Sequence, residues 1–157
     1  MSPPTHTDPI ALRGVAHHDF DQWLPLWRGY QRFYKVDIAP AVTAESWRRF
    51  HDPAEPVWAA LAWTGDVAVG FVHWIFHRST WTVGDYCYLQ DLYVDPSTRG
   101  GGIGRRLIEH VYSAAEQAGC PRVYWLTHET NRDAMVLYDK VAEKSGFVQY
   151  RKQLRPA

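Results

Sequence analysis

Leu92-Tyr93-Val94-Asp95-Pro96-Ser97-Thr98-Arg99-Gly100-Gly101-Gly102-Ile103-Gly104-Arg105-Arg106-Leu107 reads as the end of a strand, a turn, a glycine-rich loop and the start of a helix. Asp95-Pro96 stops the strand, because a residue before proline leaves the helical region and proline lacks a backbone donor. Glycines allow positive φ and let backbone approach a ligand without a Cβ in the way. The unpaired N–H groups at the helix start, with the positive end of its dipole, suit a pyrophosphate. Arg99 and Arg105 add charge-assisted contacts. Other phosphate loops fit less well. A nucleotide P-loop needs Lys and then Ser or Thr after its last glycine, where this chain has Arg105-Arg106. A dinucleotide fingerprint starting at Gly100 needs glycine at position 105, which is Arg.

Working outward, residues 104–117 show helical spacing through Leu107, Ile108, Val111, Tyr112 and Ala115, with Gly119 as terminator. An apolar strand over 123–127 follows, then a helix over 131–144 closed by Gly146 and a last strand over 147–154. Upstream, the pattern predicts strands over 10–15, 57–63, 67–76 and 86–94, with Thr64-Gly65-Asp66 as a hairpin turn. A helix over 19–34 carries an aromatic stripe, and a shorter helix begins at Thr43 and breaks at Asp52-Pro53. The order is mixed α/β with an antiparallel front half. The helical crossover between residues 94 and 123 makes those two strands parallel, in the right-handed sense.

Composition narrows the class. A chain of 157 residues fits one domain over residues 1–157, with 1–9 as a flexible tail. Zero formal net charge gives no basic field, so nucleic acid is not an expected partner. No segment approaches the roughly twenty apolar residues of a membrane span, and the first nine lack a signal peptide's apolar core. A cytoplasmic protein is expected. Two cysteines, Cys87 and Cys120, are too few for a disulfide framework and read as reduced, packed thiols. His73 and His77 share a strand face, but with no third ligand at suitable spacing they read as packing groups, and no metal is expected.

The loop resembles the pyrophosphate motif of the GNAT superfamily of acetyltransferases: Gln or Arg, two residues, Gly, one residue, then Gly or Ala. Arg99, Gly102 and Gly104 stand at its fixed positions. Downstream, Asn131-Arg132-Asp133-Ala134-Met135-Val136-Leu137-Tyr138 is similar to the family's Asn-x-x-Ala-x-x-x-Tyr helix. The resemblance implies a mostly antiparallel central sheet with a splayed parallel strand pair and helices on both faces. It implies acetyl-CoA as co-substrate, held by Leu92, Tyr93, Val94, Arg99, Gly100, Gly101, Gly102, Ile103, Gly104 and Arg105. By the same resemblance Asn131 contacts the pantetheine arm, Ala134 packs beside it, and Tyr138 protonates the departing thiolate.

The run Tyr88-Leu89-Gln90-Asp91-Leu92-Tyr93-Val94 looks like the polyamine acetyltransferases of that superfamily, both the spermidine/spermine and the histone/polyamine types. Gln90 departs from the acid that commonly removes the acceptor's proton there, while Asp91 matches the neighbouring acid. The implied acceptor is a primary amine of a small molecule, polyamine or amino-acid-like, attacking the thioester directly. Such an amine has a pKa near 10.4, so roughly one molecule in a thousand is nucleophilic at neutral pH. A base or water relay is needed, and Asp91, Glu129 and His128 are the candidates, with Tyr88 a further one by position. Strand alternation sets Asp91 opposite Gln90 and Leu92 unless a bulge intervenes. Tyr30 and Tyr34, at the end of the aromatic helix, together with Gln90 and His128, are expected to line the acceptor site, where aromatic faces suit an aminium cation. Rival readings are acetylation of protein lysines or N-termini and a non-catalytic acyl-CoA sensor. Related enzymes are often dimers, and a homodimer is expected.

Overall fold

The computed structural model describes residues 9–98 and 100–156. The chain divides into two compact units, Met1–Leu126 and Thr127–Ala157. In the first, β1 (Ile10–Gly14), α1 (Phe20–Tyr34), α2 (Pro40–Phe50), β2 (Val57–Thr64), β3 (Val67–His77), β4 (Tyr86–Val94), α3 (Ile103–Gln117) and β5 (Val123–Tyr124) follow in order. They build one five-stranded sheet in sequence order, antiparallel from β1 to β4 and parallel between β4 and β5. The mixed, mostly antiparallel sheet read from the sequence is the observed one. The hairpin turn also stands where expected, with Gly65 at φ 56°.

Side chains alternate across β3 and sort the helices by face. Phe71 and His73 point to one side, where Trp27 and Trp23 of α1 and Phe50 of α2 meet them with ring centroids 4.7 to 5.9 Å apart. Gly70 and Trp74 point to the other, against Leu107 and His110 of α3. Trp23, Leu26, Trp27, Leu61, Trp63, Ala68 and Phe71 form the buried cluster under α1. Ala59, Ala60, Leu61 and Ala62 of β2 are buried on both faces, so this strand reads as a continuous apolar run. The indole N–H of Trp27 donates to Thr43 Oγ1 at 3.0 Å, tying α1 to α2. Gly29 lets α1 come close to β4, because a Cβ there would lie 2.6 Å from the Tyr93 hydroxyl.

Asp19, just before α1, is a buried carboxylate with a full set of partners. It accepts from Arg13 Nη1 at 2.7 Å, Arg13 Nη2 at 3.2 Å and the Ala16 N–H at 2.8 Å. Burial pushes its pKa up, but Arg13 and the amide overcome that and hold it below the usual carboxylate value.

The second unit contains α4 (Arg132–Val141). The helix expected to begin at Thr43 begins at Pro40, the one expected over 131–144 spans Arg132–Val141, and two strand expectations are corrected. The strand expected over 123–127 pairs only at Val123–Tyr124. The strand expected over 147–154 is absent: no ladder includes those residues, and Phe147, Val148, Tyr150 and Leu154 are exposed. Their pattern supplies β-propensity, but a strand also needs an edge to pair with, which is not a local property.

Candidate active site

The glycine loop is built from backbone. Asp95 opens it: its Oδ1 accepts from the N–H and the hydroxyl of Ser97, both at 2.9 Å, and its carbonyl accepts from the Thr98 N–H. Gly100 and Gly102 hold φ of 92° and 74°, the left-handed region that favours glycine. A Cβ at either would meet nothing within 4 Å, so the space over the loop is open. Gly102 caps α3, and the Arg106 N–H to Gly102 carbonyl bond is the helix's first. The N–H groups of Ile103, Gly104 and Arg105 precede it, at the end where a helix has no acceptors of its own. Gly101 is exposed and Ile103 buried, so the loop is anchored at one point and open elsewhere. Arg105 is exposed and pairs with Glu109 at 2.8 Å. Arg99 lies outside the described residues.

Strand β4 then does something its sequence conceals. His73 pairs with Asp91 and Trp74 with Leu89, leaving Gln90 as an extra residue in a bulge. The extra residue turns the strand over. Leu89 and Leu92 both join the α3 face, while Tyr88, Asp91 and Tyr93 share the face toward α1. Gln90 is exposed. Asp91 and Leu92 still face opposite ways, as plain alternation has it; what the bulge changes is the relation to Leu89, so that Asp91 lies on the aromatic side and Leu89 does not.

There Asp91 joins a chain of hydrogen bonds. Tyr30 donates its hydroxyl to Asp91 Oδ1 at 2.5 Å, and His73 Nδ1 lies 2.9 Å from Oδ2. The indole N–H of Trp23 donates to His73 Nε2 at 3.0 Å. Burial first, then the charge of Asp91, raises the pKa of Tyr30 and likewise of Tyr34 and Tyr88. All three phenols stay protonated around that carboxylate. Tyr30 and Tyr34 lie 4.8 Å apart between ring centroids, extending the aromatic wall along α1. His73 and Trp23 were not anticipated as site residues. The spacing of Leu89 and Leu92 by three within a strand was the available sign of a bulge, and with it of the face Asp91 takes.

Beyond Tyr88 and Tyr124, β4 and β5 no longer pair, which is the splay expected of the parallel strands. Tyr88 and Tyr124 stack at 5.1 Å where the gap begins, and the Tyr124 hydroxyl lies 2.7 Å from His77 Nε2. Leu92, Tyr93 and Val94 follow the bulge on β4 and lead into the glycine loop. Tyr93 also lines a groove of about 740 Å³ with Leu26, Gly29, Asp95 and others, separate from Asp91. Cys87 is buried, and its thiol is pushed up to about 12 chiefly by burial, so it is no ready nucleophile.

In the second unit Asn131 caps α4 and donates through Nδ2 to Thr127 Oγ1 at 3.2 Å. Asn131, Ala134 and Tyr138, at i, i+3 and i+7, fall on one helix face. His128 Nδ1 sits 2.7 Å from Thr130 Oγ1, in a local turn, and Glu129 beside it is exposed.

The sheet, the bulge and the loop invite comparison with known proteins, and the chain matches the Acetyltransferase (GNAT) family over residues 20–142. It belongs to that family. This GNAT chain is 42% identical over 148 residues to the D-amino-acid N-acetyltransferase HPA3 of Saccharomyces cerevisiae, covering 92% of this chain and 91% of that one. It is 29% identical over 121 residues to the thialysine N-epsilon-acetyltransferase of Caenorhabditis elegans, covering 77% and 74%. Its fold matches the aminoglycoside N-acetyltransferase AAC(6')-Iy, solved with CoA, at a TM-score of 0.82 and 15% identity, covering 96% and 99%. As a GNAT member with such relatives, the chain is an N-acetyltransferase. Among the described residues no helix is long and apolar enough to cross a membrane.

Proposed function

We propose that this acetyltransferase moves the acetyl group of acetyl-CoA to a primary amine of a small, amino-acid-like or polyamine molecule. One observation carries the acceptor class. Asp91 is a carboxylate with a side-chain exposure of 12%, pointing to an aromatic face, and no Arg or Lys among the described residues pairs with it. Asp19, more deeply buried, has Arg13. A carboxylate withdrawn from water without a cation is costly to keep, and an ammonium guest among tyrosines supplies the missing charge. The D-amino-acid and thialysine relatives, by their names, also act on amines of small molecules.

The positive-φ glycines and open space of the loop fit a diphosphate, so the backbone of 100–105, with Arg99, would hold the coenzyme there. When bound, acetyl-CoA supplies the acetyl group as an activated thioester. In this scheme Asp91 and the phenols of Tyr30 and Tyr34 collect the aminium form, and Gln90, exposed beside them, contacts the acceptor. The splayed edge of β4 offers backbone donors at Leu92 and Val94. By family resemblance Asn131 and Ala134 hold the pantetheine arm and Tyr138 gives a proton to the departing sulfur, while Glu129 or His128, by position beyond the parallel strand, relays the acceptor's proton. Both units act as one domain.

Incubation with acetyl-CoA and a panel of amines, following free thiol, tests the scheme. Thiol release with a small amine is the expected result. Release only with peptides would point to protein acetylation, and tight coenzyme binding without turnover to a sensor. Tyr138→Phe should lower kcat about a hundredfold, the lower range for a general acid, and leave coenzyme affinity unchanged. Unaltered kcat would remove that role.

A cytoplasmic homodimer completes the proposal. The exposed apolar side chains of Val148, Tyr150 and Leu154 fall at even spacing, with Phe147 exposed beside them, along a segment without a strand partner, as an edge awaiting a second copy would. Sedimentation velocity should show a dimer, converted to monomer by Phe147→Asp with Tyr150→Asp. A monomer in the unaltered protein would rule it out.

A further inference from the structure

Asp91 is held in a way that its own strand does not explain. Both of its oxygens are taken by side chains from other elements, Tyr30 on α1 and His73 on β3. The second contact is set by a third residue. Indole N–H can only donate, so His73 Nε2 facing Trp23 must be the bare, accepting nitrogen. The ring proton then sits on Nδ1 and is donated to Asp91 Oδ2. A doubly protonated His73 would set N–H against N–H at Trp23. The imidazole is buried, at 4% exposure, against Phe71 and Phe50, with centroids 4.5 and 4.7 Å away, so it is shut off from bulk water. The pair thus gives Asp91 a neutral donor of fixed direction and adds no positive charge to compete with an incoming ammonium.

We infer that His73, locked by Trp23 into its Nδ1–H form, is a positioning residue that orients Asp91 for the acceptor's ammonium group. The inference rests on the reading of Asp91 as the acceptor's anion. A protonated histidine or an arginine there would neutralise the carboxylate before the substrate arrived. An apolar residue would let it rotate. The neutral imidazole does neither, and the Trp23 indole supplies the reason it stays neutral.

The test is a set of variants in the full chain, with acetyl-CoA affinity and melting temperature as folding controls. His73→Phe keeps the ring and deletes the donor. A hydrogen bond to a charged group is lost, so kcat/KM for the amine should fall about ten- to a hundredfold, mostly through KM. His73→Asn places an amide N–H where Nδ1 stood and should recover most of that loss. In an Asp91→Asn background, His73→Phe should cost less than about threefold, because linked residues are not additive. Equal losses in His73→Phe and His73→Asn, or full additivity with Asp91→Asn, would overturn the positioning role while leaving Asp91 as the anion. Asp91→Asn without effect on the amine's kinetics would instead sink the reading of Asp91, and this inference with it. Independently of activity, nitrogen-15 spectra of the His73 ring at neutral pH should show Nδ1 protonated and Nε2 bare. The opposite tautomer or an imidazolium would refute the lock.

Discussion

The glycine loop and the Trp23–His73–Asp91–Tyr30 chain are both polar, yet they are made in opposite ways. The loop presents backbone groups, drawn from residues contiguous in sequence and shaped by two positive-φ glycines. The chain presents side chains from α1, β3 and β4, joined by single hydrogen bonds across up to 61 positions and brought together only by sheet register and helix packing. A backbone site tolerates changes of side chain and fails when a Cβ appears. A side-chain site tolerates changes of loop and fails when one donor or one close approach is lost. In the proposed scheme the first grips what is common to every reaction of the family, and the second serves the part that varies.

That contrast can be broken at its strongest point by Gly102→Val. A β-branched residue at φ 74° is strained by about 1–2 kcal/mol, and its side chain enters the open space over the loop. Acetyl-CoA affinity should weaken about tenfold or more by calorimetry, because the side chain fills space over the loop and the strained backbone relaxes away from its present shape, while the amine's apparent KM at saturating coenzyme stays put. A parallel loss for the amine would show that the two regions are not separable. Gly29→Ala probes the other region. The new methyl group would lie 2.6 Å from the Tyr93 hydroxyl, and overpacking of this kind costs about 1–3 kcal/mol. The melting temperature should drop by about 2–10 °C. The amine's KM should rise, since Tyr30 is the next residue, with coenzyme affinity held. The smallest effect belongs to Arg105→Gln. Its pair with Glu109 is half exposed, so stability should move by less than about 0.5 kcal/mol. A few-fold loss of coenzyme affinity would assign the guanidinium a share in the diphosphate contact.

The same contrast explains what was legible in the sequence. Loop, helix starts and hairpin turn were readable because glycine, proline and periodicity act over a few residues. The antiparallel front half and the parallel crossover followed from element order. Tyr30 was anticipated on the aromatic helix, and Asp91 on the strand, but not that they touch. His73 passed as a packing residue, since a lone histidine in an apolar strand carries no local sign of its partners. The bulge leaves only the Leu89–Leu92 spacing as a sign, because it changes the count of residues rather than their kind. Residues 147–154 misled for the reverse reason, with a strand's alternation and no edge to complete it.

The surplus residue at position 90 has a consequence for how this strand can change length. Two residues of β4, Leu89 and Gln90, stand opposite the span that one would fill, so excising Gln90 leaves every flanking side chain on the face it already occupies. Elsewhere along an evenly paired stretch, such as Leu92–Val94, losing one residue would turn the remainder inside out. Here a deletion is tolerated in the register, and the strand can shorten by one residue without rewriting the core.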